Sequence, residues 1–212
     1  MKILAHTLVL LLGGLAAAAG SAQTNLVTNG DFETHSISTL GNGTYHCFRN
    51  AAFHGWTQTT GDASFGSCFH RGGRDGFPAA YSGDAFMYVN DSGDINESIG
   101  QSLDLVGGTR YRLDFAVGGY AGLVAPLEVN LGNFKTTIPW RNADEGWVTH
   151  SFVYAPTSTG TAWLSFTSRE FESAITLDAV SVVAIPEPGT YALMALGLGC
   201  VGLVARRGKQ QG

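Results

Sequence analysis

The chain has 212 residues, 44% of them hydrophobic and only 14% charged, with 29 glycines and a formal net charge of −5. So few charges exclude coiled coils, long-helix bundles and charge-rich disordered tails, all of which need dense Glu, Lys and Arg. An acidic balance with 12 Lys+Arg also excludes a basic nucleic-acid-binding surface, because phosphate must be met by a Lys/Arg face.

In chain order, residues 1–22 carry one charge, Lys2, then an apolar run from Ile3 to Leu15, then small residues ending at Gly20, Ser21 and Ala22. A positive start, a short apolar stretch and small residues before a polar segment form a secretory signal, with cleavage expected after Ala22. The body, residues 23–185, holds eight Lys/Arg against 16 Asp/Glu, a net −8. That makes anionic polymers poor partners and leaves neutral sugars or a metal ion open. Its length suffices for one well-buried core.

Within the body, residues 35–78 are rich in Gly, Ser, Thr and His with little alternation, and are expected to form a long irregular insert. Cys47 and Cys68 lie inside it with 20 residues between them. In an oxidising compartment they are expected to form a disulfide. The rival is a Cys2His2 zinc site made with His46 and His70. Cys200, in the apolar tail, pairs with neither.

After the insert, strands dominate. Ala85–Val89 places Phe86 and Tyr88 on one face, and Arg110–Val117 alternates strictly, with Tyr111, Leu113, Phe115 and Val117 together. Leu127, Val129 and Leu131 alternate with Glu128 and Asn130. Val148–Tyr154 puts Val148, Phe152 and Tyr154 on one side, with His150 as the polar exception. Ala162, Leu164 and Phe166 form a stripe opposite Trp163, and Ile175–Ala184 closes the body. Gly107-Gly108, Gly118-Gly119, Gly132-Asn133 and Pro156 mark turns between them. Short strands at this spacing predict an all-β antiparallel sandwich or barrel.

Past the body, Pro186-Glu187-Pro188 precedes residues 189–205, which carry no charge, and then Arg206, Arg207 and Lys209. Seventeen residues as a helix reach about 25 Å, at the short limit for a membrane span. The basic cluster is expected on the cytoplasmic side. The box, the apolar stretch and the basic end, in that order, resemble the PEP-CTERM sorting signal of Gram-negative bacteria. The resemblance implies export across the inner membrane and a transient anchor. It also implies removal of the tail near the box by an exosortase-type membrane enzyme, and association with exopolysaccharide and biofilm matrix at the cell surface.

Four stretches of the body carry a second resemblance: Asn25–Glu33 with its Asn-Gly-Asp-Phe-Glu, Gln101–Phe115, Gly146–Tyr154 and Ile175–Val182. Together they resemble the galactose-binding-like jelly-roll sandwich of many carbohydrate-binding modules, in which Gly55-Trp56 stands further from the opening than is usual. That resemblance implies a structural Ca2+ where the first and last strands meet, carried over to Glu33 and Asp178. The chemistry agrees, since Ca2+ takes six to eight oxygens and a carboxylate in an apolar strand is costly unless paired. The bland alternative has Asp178 facing solvent or accepting backbone hydrogen bonds.

No Gly-x-Ser-x-Gly, His-Glu-x-x-His or phosphate-binding glycine loop occurs. Two functions follow as expectations. One is a non-catalytic surface or matrix protein that binds glycan by stacking it on Trp56, Tyr120 or Trp140. The other is an extracellular polysaccharide hydrolase with its site in the 35–78 insert.

Overall fold

The computed structural model describes residues 23–35, 45–48, 52–60, 67–74, 76–89, 97–119, 123–124, 126–139, 141–142, 146–169, 175–186 and 195–199. The first strands among them are β1 (Tyr45–Phe48), β2 (Ala52–Phe53), β3 (Trp56–Thr60), β4 (Ser67–Arg71) and β5 (Ala85–Val89). Next come β6 (Ser98–Leu105), β7 (Arg110–Gly119), β8 (Leu123–Val124), β9 (Leu127–Leu131) and β10 (Phe134–Ile138). The last are β11 (Arg141–Asn142), β12 (Val148–Tyr154), β13 (Gly160–Ser168) and β14 (Ile175–Ile185).

They form two six-stranded antiparallel sheets. The first has the order β1-β4-β5-β14-β7-β12 and the second β10-β9-β13-β6-β3-β2; β8 and β11 make a separate ribbon. The fold is an all-β two-sheet sandwich.

Period-two alternation builds the core. Tyr111, Leu113, Phe115 and Val117 of β7 face Leu103 and Leu105 of β6, Val129 of β9 and Leu164 and Phe166 of β13, all at most 4% exposed. Rings bridge the layers: Phe115 lies 5.2 Å from Phe166, which lies 6.1 Å from Trp56, which lies 5.3 Å from Phe32. β14 needs one correction of phase. Ile175 and Leu177 point inward, but so do Val180 and Val182, which differ from them in parity. A bulge between Asp178 and Ser181 supplies the extra residue, and Ala179 takes the left-handed region there at φ 50°. The opening segment crosses this bulge: Leu26 N donates to Val182 O at 2.9 Å and Val180 N to Gly30 O at 2.8 Å. Gly30 is required, because a Cβ would stand 1.9 Å from Val180 O.

The stretch 35–78, expected to be irregular, contributes β1 to β4 to both sheets. Its strands are short and mix Thr and Gln with aromatics, so their burial depends on neighbours distant in sequence. Cys47 and Cys68 face each other across β1 and β4, and their sulfurs are bonded. The zinc alternative is thereby deprived of its thiolates. His46 stacks on Phe53 at 4.6 Å, and His70 Nδ1 lies 2.8 Å from Arg71 O. The two acidic residues of this stretch, Asp62 and Asp75, fall outside the described residues, as do residues 1–22. Of the expected span 189–205 only 195–199 are described, as helix, and among the described residues no helix is long and apolar enough to cross a membrane.

Candidate functional site

The residues of the first sheet that alternate with its core residues form its outer face. β4 and β5 place Cys68, His70, Phe86 and Tyr88 there, β14 places Thr176 and Asp178, β7 places Asp114, Ala116 and Gly118, and β12 places Thr149 and Ser151. Half of this face is roofed by the connection between β4 and β5. Gly72 N donates to Asp84 O at 2.9 Å and Gly73 N to Pro78 O at 2.8 Å, closing its base. Phe77 packs 4.0 Å from His70 and 5.0 Å from Tyr88. Trp147, entering β12, donates from Nε1 to Ala79 O at 2.8 Å and lies 5.8 Å from Phe86. A second apolar cluster therefore sits outside the sandwich proper.

Where the roof ends, a hollow of about 300 Å³ is left over β7 and β12, lined by Tyr81, Asp114, Phe115, Ala116, Thr149, His150, Ser151 and Ala179. Tyr81 stands at its edge, 47% exposed, with its ring 6.1 Å from that of Trp147. Ala116 keeps the floor low, Thr149 and Ser151 bring hydroxyls, and Asp114 Oδ2 is held by Arg112 Nε at 2.6 Å. One aromatic face beside short polar groups suits a ligand with an apolar side and a hydroxyl rim.

Two carboxylates fix the strand of roof that carries Tyr81. Asp178 is fully buried; its Oδ2 accepts from Ser82 N at 3.0 Å and its Oδ1 from Ala179 N at 2.6 Å. Glu33 Oε1 accepts from Asp84 N at 2.8 Å and Ala85 N at 2.9 Å. Between these donors Gly83 adopts φ +67°, and a Cβ there would meet Glu33 Oε1 at 2.3 Å, so only glycine lets the carboxylate in. Burial raises the Asp178 pKa to about 6, against the lowering effect of the backbone donors of Ser82, Ala179 and Tyr81, and the negative charge of Glu33 adds to the rise. Three non-glycine residues around the joint, Asn29, Phe32 and Ala179, lie at φ 50°, 56° and 50°. Such backbone cost is tolerated where the surroundings over-determine it. Asn29 shows how: its side chain bonds Thr34 N, Thr34 O and His54 O, and its carbonyl accepts from Trp56 Nε1 at 2.9 Å.

Of the aromatics expected to stack sugar, Trp56 is corrected: it is 0% exposed, in the core between Phe32 and Phe166. Its indole N–H is spent on Asn29. Tyr120 and Trp140 lie outside the described residues. Sequence reasoning missed Tyr81 and Trp147, although the position of Trp147 directly after Gly146, at the mouth of an alternating strand, was an available signal. Glu33 and Asp178 are brought to one segment, whereas the sorting residues are separate: Pro186 is exposed just past the last paired residue, Ile185, and Glu187 and Pro188 lie outside the described residues. Among the described residues no three His, Cys, Asp or Glu side chains gather as a metal site.

The family described as the PEP-CTERM protein-sorting motif matches residues 184–209. No curated protein matches the chain. Among solved structures, the chain is similar to TmCBM61 in complex with β-1,4-galactotriose, at 15% identity over 77% of this chain and 100% of that one, TM-score 0.48. It is also similar to a family 16 carbohydrate-binding module, at 17% identity over 75% and 99%, TM-score 0.46. A third is the xylan-binding CBM22-1 domain of Paenibacillus barcinonensis Xyn10C, at 16% identity over 68% and 94%, TM-score 0.42.

Proposed function

We propose that this is an exported, non-catalytic surface or matrix protein that holds a neutral polysaccharide in the hollow beside Tyr81. The sorting motif over residues 184–209 implies export and processing by an exosortase-type enzyme. The exposed Pro186, leaving the sheet directly after Ile185, supports access for that enzyme. Proline there continues neither a ladder nor a helix. In this reading the tail anchors the chain transiently in the inner membrane and is then removed.

One observation carries the binding reading: a half-exposed tyrosine at the edge of an open hollow whose floor is Ala116 and whose walls are Thr149, Ser151 and Asp114. The ring takes the C–H face of a pyranose, and the hydroxyls and carboxylate take its rim, directly or through water. The net −8 of residues 23–185 favours an uncharged polymer over a polyanion.

Glu33 and Asp178 are the residues that would hold a Ca2+ ion. The fit rests on a fully buried carboxylate with only backbone N–H donors, beside a second carboxylate whose bonds fall on one oxygen, Oε1. Hard oxygen donors of this kind suit Ca2+, with backbone carbonyls completing the shell. The ion supplies positive charge; the chain's part is to tie Tyr81–Ala85, and with it the Tyr81 ring, to β14.

The test is native affinity electrophoresis of the full chain in gels containing β-1,4-galactan, xylan or hydroxyethylcellulose. At least one polymer should retard the wild type, and Tyr81→Ala should weaken that retardation by roughly tenfold or more, about 1.4 kcal/mol. Unchanged retardation of Tyr81→Ala on every polymer that binds would remove the hollow as the site.

A further inference from the structure

Each sheet of the sandwich ends in two edge strands, and an edge is a row of backbone donors and acceptors that another strand can take up. Three of the four are blunted. β1 has four residues and is cross-linked to β4 through Cys47–Cys68, β2 has two residues, and β10 carries Lys135, bridged to Glu128 at 2.6 Å. Short length and an edge lysine are ordinary guards against strand addition.

β12 has neither. It runs for seven residues, Val148–Tyr154, with no Asp, Glu, Lys, Arg, Pro or Gly among them. Its register against β7 holds through all seven pairs, with no bulge to twist it away. Among the described residues β7 is the only strand it pairs with. Val, Thr, Phe and Tyr at this density favour extended pairing. Thr149, Ser151 and Val153 are exposed, Val153 at 47%. At the adjoining open side of the sandwich, Phe134 of β10 lies 5.6 Å from Phe152 and 6.3 Å from Tyr154, and all three rings are only partly buried. A half-covered aromatic seam therefore borders the edge.

We infer that β12 is a self-pairing edge: a second copy of this chain adds its own β12 antiparallel, about a two-fold axis at Ser151, and joins two sheets into one. That register opposes Val148 to Tyr154, Thr149 to Val153, His150 to Phe152 and Ser151 to its own copy. No pair sets two charged side chains together, and β-branched and aromatic residues meet across the strands. Opposed positions share parity, so the partner's Val148 and the partner's His150 arrive beside Tyr154 and Phe152 at the seam. A cationic partner would need carboxylates at the edge, and β12 offers none. An uncharged strip is where two copies of a body of net −8 can approach, and such isologous contacts are the commonest in oligomers. Seven residues a side is well below the roughly 20–30 of a standard interface, so the contact is weak and reversible. The joined sheet keeps both outer faces on one side, which sets the hollow over β7 and β12 next to its copy.

Sedimentation of the full chain, with no polysaccharide present, tests this from about 10 µM to about 1 mM, where a weak interface associates. Wild type should show a reversible monomer–dimer equilibrium. Ser151→Lys and Ser151→Glu each set like charges across the axis and should weaken association about fivefold or more at unchanged Tm. An equimolar mixture of the two should associate more tightly than either alone. Val153→Lys, which puts a guarding lysine on the edge, should weaken association as well; if either Ser151 variant melts below the wild type, Val153→Lys decides. A wild type that stays monomeric over the whole range overturns the inference. So does association that survives all three substitutions, which assigns it to another surface, and so does a mixture no tighter than its components. None of these outcomes depends on what the hollow beside Tyr81 binds.

Discussion

Asp178 on the first sheet and Glu128 on the second are both carboxylates pulled out of water, and their surroundings drive them in opposite directions. Burial raises the pKa of each, but Glu128 is answered by hydrogen bonds from Lys135, Arg169 and Asn130, which together carry it down to about 2. Asp178 is answered only by backbone N–H groups, faces the charge of Glu33, and ends near 6. The first is a closed ion cluster that the protein completes by itself. The second pairs two carboxylates, and the bonds that answer Asp178 come from backbone N–H groups. Asp178 is the more deeply buried of the two, and what further separates them is whether a partner cation comes from the chain.

The largest expected effect is the pH response of calcium-free protein. In the folded state Asp178 binds its proton more tightly than the unfolded chain does, so between about pH 4 and pH 6 the folded state holds the extra proton. Stability must therefore fall as pH rises through that window, and level off above it. A shift of two units corresponds to about 3 kcal/mol. Urea melts in chelator at pH 4, 5, 6 and 7 read this directly; in Asp178→Asn the decline should vanish. A flat profile in the wild type would mean that the site is not held open as a charge.

Next in size is the calcium response at pH 7. An ion bound by the folded state alone stabilises by about 2.7 kcal/mol at a hundredfold excess over its Kd. That is several degrees in Tm for a domain of this size, at about 2–4 °C per kcal/mol. Chelator should remove it, Asp178→Asn should be insensitive to it, and lowering the pH to 5 should weaken it because the ion competes with the proton. Coincident melts in calcium and in chelator would leave Glu33 and Asp178 as ordinary backbone caps.

The smallest effect belongs to Glu128. Its folded pKa is depressed, so its contribution is present above about pH 4.5 and is lost as pH falls towards 2. Because Lys135 and Arg169 are 59% and 39% exposed, screening reduces the contribution to about 1 kcal/mol. Glu128→Gln should flatten the acid limb of the stability curve and make it insensitive to salt. Retention of the full acid limb by that variant would place the linkage elsewhere.

Much of the sandwich was legible because alternation is local. Arg110–Val117 shows its buried face in eight residues, and the strand is found there. Trp163 was also legible as facing away from its stripe, since parity alone decides it. Trp56 misled for the same reason that makes it important: a large aromatic among Gly, Thr and His looks like a surface platform until Phe32 and Phe166 close over it from other parts of the chain. The stretch 35–78 hid its strands because Gln58, Ser67 and His70 are buried there by long-range pairing and not by an apolar period.

By itself the sequence determined the sorting motif, the acidic balance and the all-β character. These are written in composition, order and a period of two. Only the tertiary structure decided that a bulge at Asp178 re-phases β14 and that Gly83 admits Glu33. Each depends on the approach of two segments distant in the chain, and close approach leaves no trace in either segment read alone.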